Sequence, residues 1–182
     1  PKLKNPKKKR NILFVGKLNE AKGYNIFVEA AKKFKSVNKN WNFIAVGNEP
    51  RKKIFPSSKI VKEIGYKSNS YVLNLYKKSE ISVGNSLWNE PLGRIAIESS
   101  SRKCLPIISN IAGLKESKSI AVVLKQNTSN ELFKLLIKLT KNKNLRRNLQ
   151  NKFFKNNKFF IKKSTKQIDA IRNNILKGYK TN

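Results

Sequence analysis

NILFVGKLNEAKGYNIFVEAAKKFKSVNKNWNFIAVG, residues 11–47, holds two short apolar runs, each ending in glycine, on either side of an amphipathic segment. NILFVG (11–16) shows no polar alternation, which suits a strand buried on both faces of a parallel sheet. In YNIFVEAAKKFKSV, Ile26, Phe27, Ala30, Ala31 and Phe34 recur at helical spacing. WNFIAVG (41–47) repeats the strand-then-glycine pattern, so the unit is β-α-β with a right-handed crossover expected.

The alternation continues outward. After NEPRKKIFPSS, a loop with two prolines, SKIVKEIGY predicts a third strand ending at Gly65 and NSYVLNLYKKS a short helix. EISVGNS, from Glu80, predicts a fourth strand, and SLWNEPLGRIAIE (86–98) a loop followed by a helix that Gly93 opens. CLPIISN (104–110) predicts a strand, IAGLKES a turn, and IAVVLKQ from Ile120 a further short strand. From Ser129 onward Leu132, Leu135, Leu136 and Leu139 return at helical spacing. Helices fill the remainder, parted near Lys163, with Ser164 or Thr165 as the cap of the last one. The fold class is therefore α/β: a doubly wound, parallel, Rossmann-like sheet with helices on both faces and a helical C-terminal tail.

A length of 182 residues fits one domain and buries about 70% of the unfolded surface. No apolar run approaches 20 residues, so the expectation is a soluble, cytoplasmic chain. The sequence has no methionine and begins PKLKNPKKKR, which predicts a fragment of a longer protein. Lys and Arg number 41 against 10 Asp and Glu, a net charge of +31. Such a charge attracts polyanions. The excess is mostly lysine spread along the chain beside much Asn and Ile, as an AT-rich genome would supply, and a solvated surface is the favoured reading. Histidine is absent and Asp169 is the sole aspartate, so His/Asp metal sites and Ser-His-Asp triads are excluded within the chain. Cys104 stands alone in an apolar run and is expected to be a buried thiol.

In doubly wound sheets ligands bind at the carboxyl ends of the strands, so the loops there carry the candidate residues. GKLNEAKG places Gly16, Lys17 and Lys22 after the first strand, where two ammonium groups beside a helix start can clamp a diphosphate. Its glycine spacing fits neither a Walker A loop nor a dinucleotide fingerprint. Gly65 and Tyr66 follow the third strand, where the ring could seat a base. Glu90, Pro91, Leu92 and Gly93 follow the fourth, ahead of Glu98. Were residues 90 to 98 all helical, the two carboxylates would stand roughly 12 Å apart along the axis. That exceeds the separation of about 5 to 9.5 Å in a hydrolytic pair. Two acids flanking a helix N-terminus suit a ligand with an anionic middle, such as a nucleotide sugar.

ILFVGKLNEAKG, the Gly65-Tyr66 turn, and above all SLWNEPLGRIAIESSSRKCLPIISNIAGLKE resemble the C-terminal, nucleotide-sugar-binding half of family four retaining glycosyltransferases of the two-domain B type. The resemblance runs from Asn11 through the helical tail. The family pattern is a glutamate, then Pro-Phe-Gly, then a second glutamate with seven residues between the two, which Glu90 and Glu98 match. The resemblance implies that Glu98 bonds the ribose hydroxyls and that Glu90 lies close to the donor sugar. It also implies that backbone amides around Leu92 and Gly93 approach the sugar and distal phosphate, and that Lys22 binds the diphosphate. Lys17 stands where arginine is usual, keeping the charge but losing the planar fork. Leu92 replaces the commoner Phe, Lys103 stands where glycine is usual, and Ala112 replaces the first of two glycines.

The implied organisation is a basic linker over 1–10, a nucleotide-sugar-binding Rossmann-like domain over 11–163, and a C-terminal helix over 164–182. The implied activity is retaining transfer of a hexose-type sugar from a nucleotide diphosphate donor, without metal or other cofactor. Glu90, Lys17 and Lys22 would serve catalysis. The expected partners are the donor, an acceptor glycan or lipid-linked glycan, and a missing N-terminal acceptor domain. The expected pathway is polysaccharide or lipopolysaccharide synthesis, with peripheral contact at an anionic inner membrane. Two alternatives stay open: a non-enzymatic basic module for nucleic acid or anionic membrane, and a degenerate transferase domain serving as a scaffold.

Overall fold

The computed structural model describes residues 7–50, 59–91 and 93–178. Six parallel strands form one sheet in the order β3-β2-β1-β4-β5-β6. They are β1 (Lys9–Val15), β2 (Asn42–Val46), β3 (Val61–Glu63), β4 (Ser79–Gly84), β5 (Leu105–Ile108) and β6 (Val122–Val123). The helices are α1 (Tyr24–Val37), α2 (Asn69–Lys78), α3 (Arg94–Ser100), α4 (Ala112–Lys115), α5 (Ser129–Lys141) and α6 (Lys143–Gly178). Strand order runs outward in both directions from the neighbouring pair β1 and β4, which creates the switch point where such sheets leave a crevice.

The unbroken apolar run of β1 follows from cover on both faces. Ile12 and Phe14 join Phe27 and Phe34 of α1 and Leu132 and Leu136 of α5 in one cluster. Leu13, pointing the opposite way, packs with Val72 and Tyr76 of α2 and with Cys104. Phe14 and Phe27 have ring centroids 5.3 Å apart, as do Phe34 and Phe43. Those contacts fix α1 over the centre of the sheet, and with it the loop from Gly16 to Gly23.

Three details differ from the sequence expectation. β1 begins at Lys9, inside the stretch expected to be linker. The Lys8 amine donates to the carbonyls of Tyr76, Ser79 and Arg102 at 3.4, 2.7 and 3.2 Å, so side-chain hydrogen bonding anchors this end. IAGLKES is not a simple turn: α4 is followed by a 3-10 turn over Glu116–Ser119. Finally, α6 is one helix of 36 residues, unbroken through Lys163, Ser164 and Thr165. Neither proline nor glycine occurs from 143 to 177, so the polar interruption there breaks the apolar period without breaking the backbone. The boundary expected at 163/164 falls inside this helix. The loop expected over NEPRKKIFPSS lies largely on residues 51–58, and the start of the basic leader on 1–6, outside the described residues.

Lys103 has φ 54, the left-handed region that favours glycine. A left-handed conformation costs an L-residue about 1 to 2 kcal/mol. The Lys103 amine lies 5.0 Å from the centroid of the Phe154 ring, a cation–π contact that offsets part of that cost.

Candidate functional site

A cleft opens at the carboxyl ends of β1, β2 and β4. It has two joined lobes that share Val15, Gly16, Arg94 and Glu98. One lobe, about 220 Å³, is lined also by Lys22, Tyr76, Ser86 and Glu90. The other, about 370 Å³, is lined also by Lys17, Asn48, Tyr66 and Lys67.

Two loops distant in sequence are laced together to make the smaller lobe. Gly23 precedes α1 with φ 71, and Asn85 Nδ2 donates to its carbonyl at 2.8 Å. The Ser86 hydroxyl donates to Ala21 O at 3.1 Å, and the amides of Leu87 and Trp88 donate to the same oxygen at 2.8 and 3.0 Å. Asn127 Nδ2 reaches the carbonyls of Asn85 and Ser86 at 2.9 and 3.0 Å, closing the lacing from beneath. On the far side Gly113 N donates to Glu90 O at 3.1 Å. A Cβ on Gly113 would stand 2.0 Å from Pro91 O, so the glycine of the IAGLKES loop admits no side chain.

The lacing brings Lys22 Nζ within 3.0 Å of Glu90 Oε1, an ion pair about one quarter exposed on average. The cation on the first loop is thus paired with the acid on the fourth strand's loop. An incoming anion would share or replace this partner. Glu90 precedes the helix, which begins at Arg94, so only Glu98 sits on α3, in its second turn. Arg94 Nε stands 3.8 Å from Glu98 Oε1.

Burial pushes the Glu98 carboxyl above its ordinary range, and Arg94 counters this only in part. A carboxyl whose folded pKa is raised binds its proton more tightly in the folded than in the unfolded state. Its stabilising effect is present at low pH and is lost as pH rises through the raised pKa. Glu98→Gln should therefore raise the melting temperature of the ligand-free protein at about pH 7. The gain should vanish near pH 3, where wild-type Glu98 is itself neutral. Thermal melts across this range check it, and a variant less stable at neutral pH would mark Glu98 as a structural acid.

Tyr76 lines the same lobe, and its buried hydroxyl has no hydrogen-bond partner among the described residues.

The residues singled out from sequence distribute as follows. Gly16 and Glu98 line both lobes, Lys22 and Glu90 the smaller, and Lys17 and Tyr66 the larger. The two lysines expected to form one clamp therefore line different lobes. Pro91, Gly93 and Gly65 are not among the lining residues. Gly65 O instead accepts from Gly47 N at 2.9 Å, tying two loops together. Leu92 lies outside the described residues. Arg94 and Tyr76 were missed. Arg94 carried a faint signal, four residues ahead of Glu98 on one helix face. Tyr76 carried none, being one apolar-face residue of α2. No group of three or more His, Cys, Asp or Glu suited to a metal occurs among the described residues. No described helix is long and apolar enough to cross a membrane.

Residues 1–156 match the sequence profile of the glycosyl transferases group 1 family. A comparison with curated protein sequences returns no match. Among solved structures, the C-terminal domain of the group 1 glycosyl transferase LpcC from Francisella tularensis superposes with a TM-score of 0.71 at 19% identity, covering 82% of this chain and 85% of that one. The catalytic domain of cholesterol-alpha-glucosyltransferase from Helicobacter pylori gives 0.71 at 18% identity, covering 82% and 98%. Anabaena Alr3699/HepE, solved with UDP and glucose, gives 0.68 at 15% identity, and this chain spans 43% of its length. The likeness establishes the doubly wound fold as that of a glycosyl transferase C-terminal domain.

Proposed function

This chain belongs to the glycosyl transferases group 1 family, and from that membership we propose that it is the donor-binding half of a retaining, two-domain glycosyltransferase of family four. The observation that carries the reading is the convergence of Lys22, Glu90, Arg94 and Glu98 on one cleft at the switch point of the sheet. HepE binds UDP and glucose in its crystal structure, which supports a nucleotide sugar as the ligand.

In this reading the nucleotide enters the larger lobe, with the base near Tyr66 and the ribose hydroxyls donating to Glu98. The diphosphate lies over the start of α3, where amide groups have no partner within the helix. Lys22 and Lys17 approach it from the first loop, and Arg94 from the helix. Glu90 orients the sugar. The anomeric carbon–oxygen bond to the diphosphate breaks, the cations take up the charge that develops on the leaving oxygen, and the acceptor hydroxyl attacks from the same face. The departing phosphate takes the acceptor's proton. The acceptor glycan or lipid-linked glycan is held by an N-terminal domain outside this sequence, in a polysaccharide or lipopolysaccharide pathway on the cytoplasmic side of a membrane. Neither a metal nor another cofactor takes part.

Proton NMR of the product formed by the full-length protein tests this directly. Offered sugar nucleotides and a hydroxyl acceptor, it should yield a glycoside with the donor's anomeric configuration, at a rate unchanged by EDTA. An inverted product would remove the retaining assignment, and loss of activity with EDTA the metal-free one.

A further inference from the structure

A cavity of about 870 Å³, larger than either lobe of the cleft, lies at the amino ends of β1 and β4, on the opposite edge of the sheet. Ten of its seventeen lining residues are Lys or Arg, whereas the whole chain has 41 in 182. A lysine excess spread by codon usage does not account for that concentration. The one acid in the lining, Glu80, is already engaged, accepting from Arg146 Nε at 3.2 Å and Gln150 Nε2 at 2.8 Å. Seven cations remain exposed and make no ion pair among the described residues: Lys7, Arg10, Lys77, Arg102, Lys141, Lys143 and Arg147.

Lys77 and Lys141 have an ordinary role, since each closes the last turn of a helix whose carbonyl end attracts cations. Lys143 and Arg147 do not. They stand at the start of α6, where the dipole is positive, and the first turn of that helix carries no acid. Cations at that end are unfavourable unless an anion joins them. The only aromatic lining residue, Trp41, is 3% exposed and lies under the Arg146 guanidinium at 5.0 Å, so no ring is open for stacking on bases.

We infer that this basal cavity binds a compact polyanion carrying two or more phosphate groups. A single phosphate dianion would leave most of the seven charges uncompensated, and the concave shape favours a ligand that enters over a strand that crosses. Arg10 and Arg147 supply planar forks that bond phosphate oxygens in pairs. The ligand is either a soluble polyphosphate or the bisphosphate headgroup of a lipid.

Titration of inorganic tripolyphosphate into the full chain at moderate salt tests the inference, with two variants alongside. The basal variant is Arg10→Gln/Lys143→Gln/Arg147→Gln, and the cleft variant is Lys17→Gln/Lys22→Gln, each checked for an unchanged circular dichroism spectrum. The cleft variant should keep one saturable site, and adding the basal substitutions to the cleft variant should weaken that site at least about tenfold. Equal affinity in the cleft variant with and without the basal substitutions, or no saturable site in the cleft variant, would overturn the inference. Cardiolipin vesicles assign the source. Sedimentation that depends on the basal residues identifies a headgroup, and its absence beside tripolyphosphate binding identifies a soluble ligand.

Discussion

Lys22→Ala should lower kcat of the full-length enzyme by roughly 10² to 10³, the loss seen when one group that stabilises developing negative charge is removed. The lysine is the cation on the first strand's loop that lines the lobe containing Glu90. Removing it has a second effect, because Glu90 loses the partner at 3.0 Å and its charge then faces the phosphate. Binding of the nucleotide should therefore weaken as well. The variant Lys22→Ala/Glu90→Gln separates the two effects: it should recover part of the affinity for the nucleoside diphosphate while kcat stays low. Recovery of full kcat would show that the lysine serves only to neutralise Glu90.

The second large effect is expected from Gly23→Ala. A Cβ at this position would lie 2.0 Å from Asn85 O and 2.8 Å from Asn85 Nδ2, in a residue held at φ 71. The left-handed backbone alone costs about 1 to 2 kcal/mol, and the overlap with a backbone oxygen adds about 1 to 3. A loss of about 3 kcal/mol would lower the melting temperature of a chain this size by roughly 6 to 12 °C. Relief of the overlap must push the first loop away from Asn85 and Ser86, taking Lys22 from Glu90. Nucleotide binding should fall together with stability, measured by calorimetric melts and titration on the same preparation. A stable variant with unimpaired binding would contradict the lacing described for the two loops.

The parts of the fold legible in the sequence are those written in local patterns. The run ILFV announces a strand covered on both faces, and Ile12, Leu13 and Phe14 are each 2% exposed or less. Phe27 and Phe34, spaced for one helix face, meet that strand's neighbours as expected. Glu90 and Glu98 were legible as a spaced pair, and both line the smaller lobe. What escaped is long-range. The Lys22–Glu90 ion pair depends on Asn85, Ser86 and Asn127 binding backbone oxygens, and nothing in the local sequence marks an asparagine as a lace. The unbroken α6 was missed because its apolar period fades near Lys163, and the period records burial while the backbone follows propensity. The basal cavity was hidden for the same reason as the ion pair, its cations coming from the start of β1, the ends of α2, α3 and α5, and the start of α6.

The central claim is that the cleft at the switch point holds a nucleoside diphosphate, with Glu98 on the ribose. Isothermal titration of UDP, GDP and ADP into the chain, repeated with Glu98→Ala, measures it. One of the three should bind saturably at a single site, with affinity about 10- to 100-fold weaker in the variant, as expected for a lost charge-assisted hydrogen bond. Raising salt from about 50 to 200 mM should change that affinity no more than about tenfold, since few phosphates are contacted. Binding that ignores Glu98 and collapses by about 10³ or more over the same salt range would contradict the claim and favour a basic module that binds polyanions.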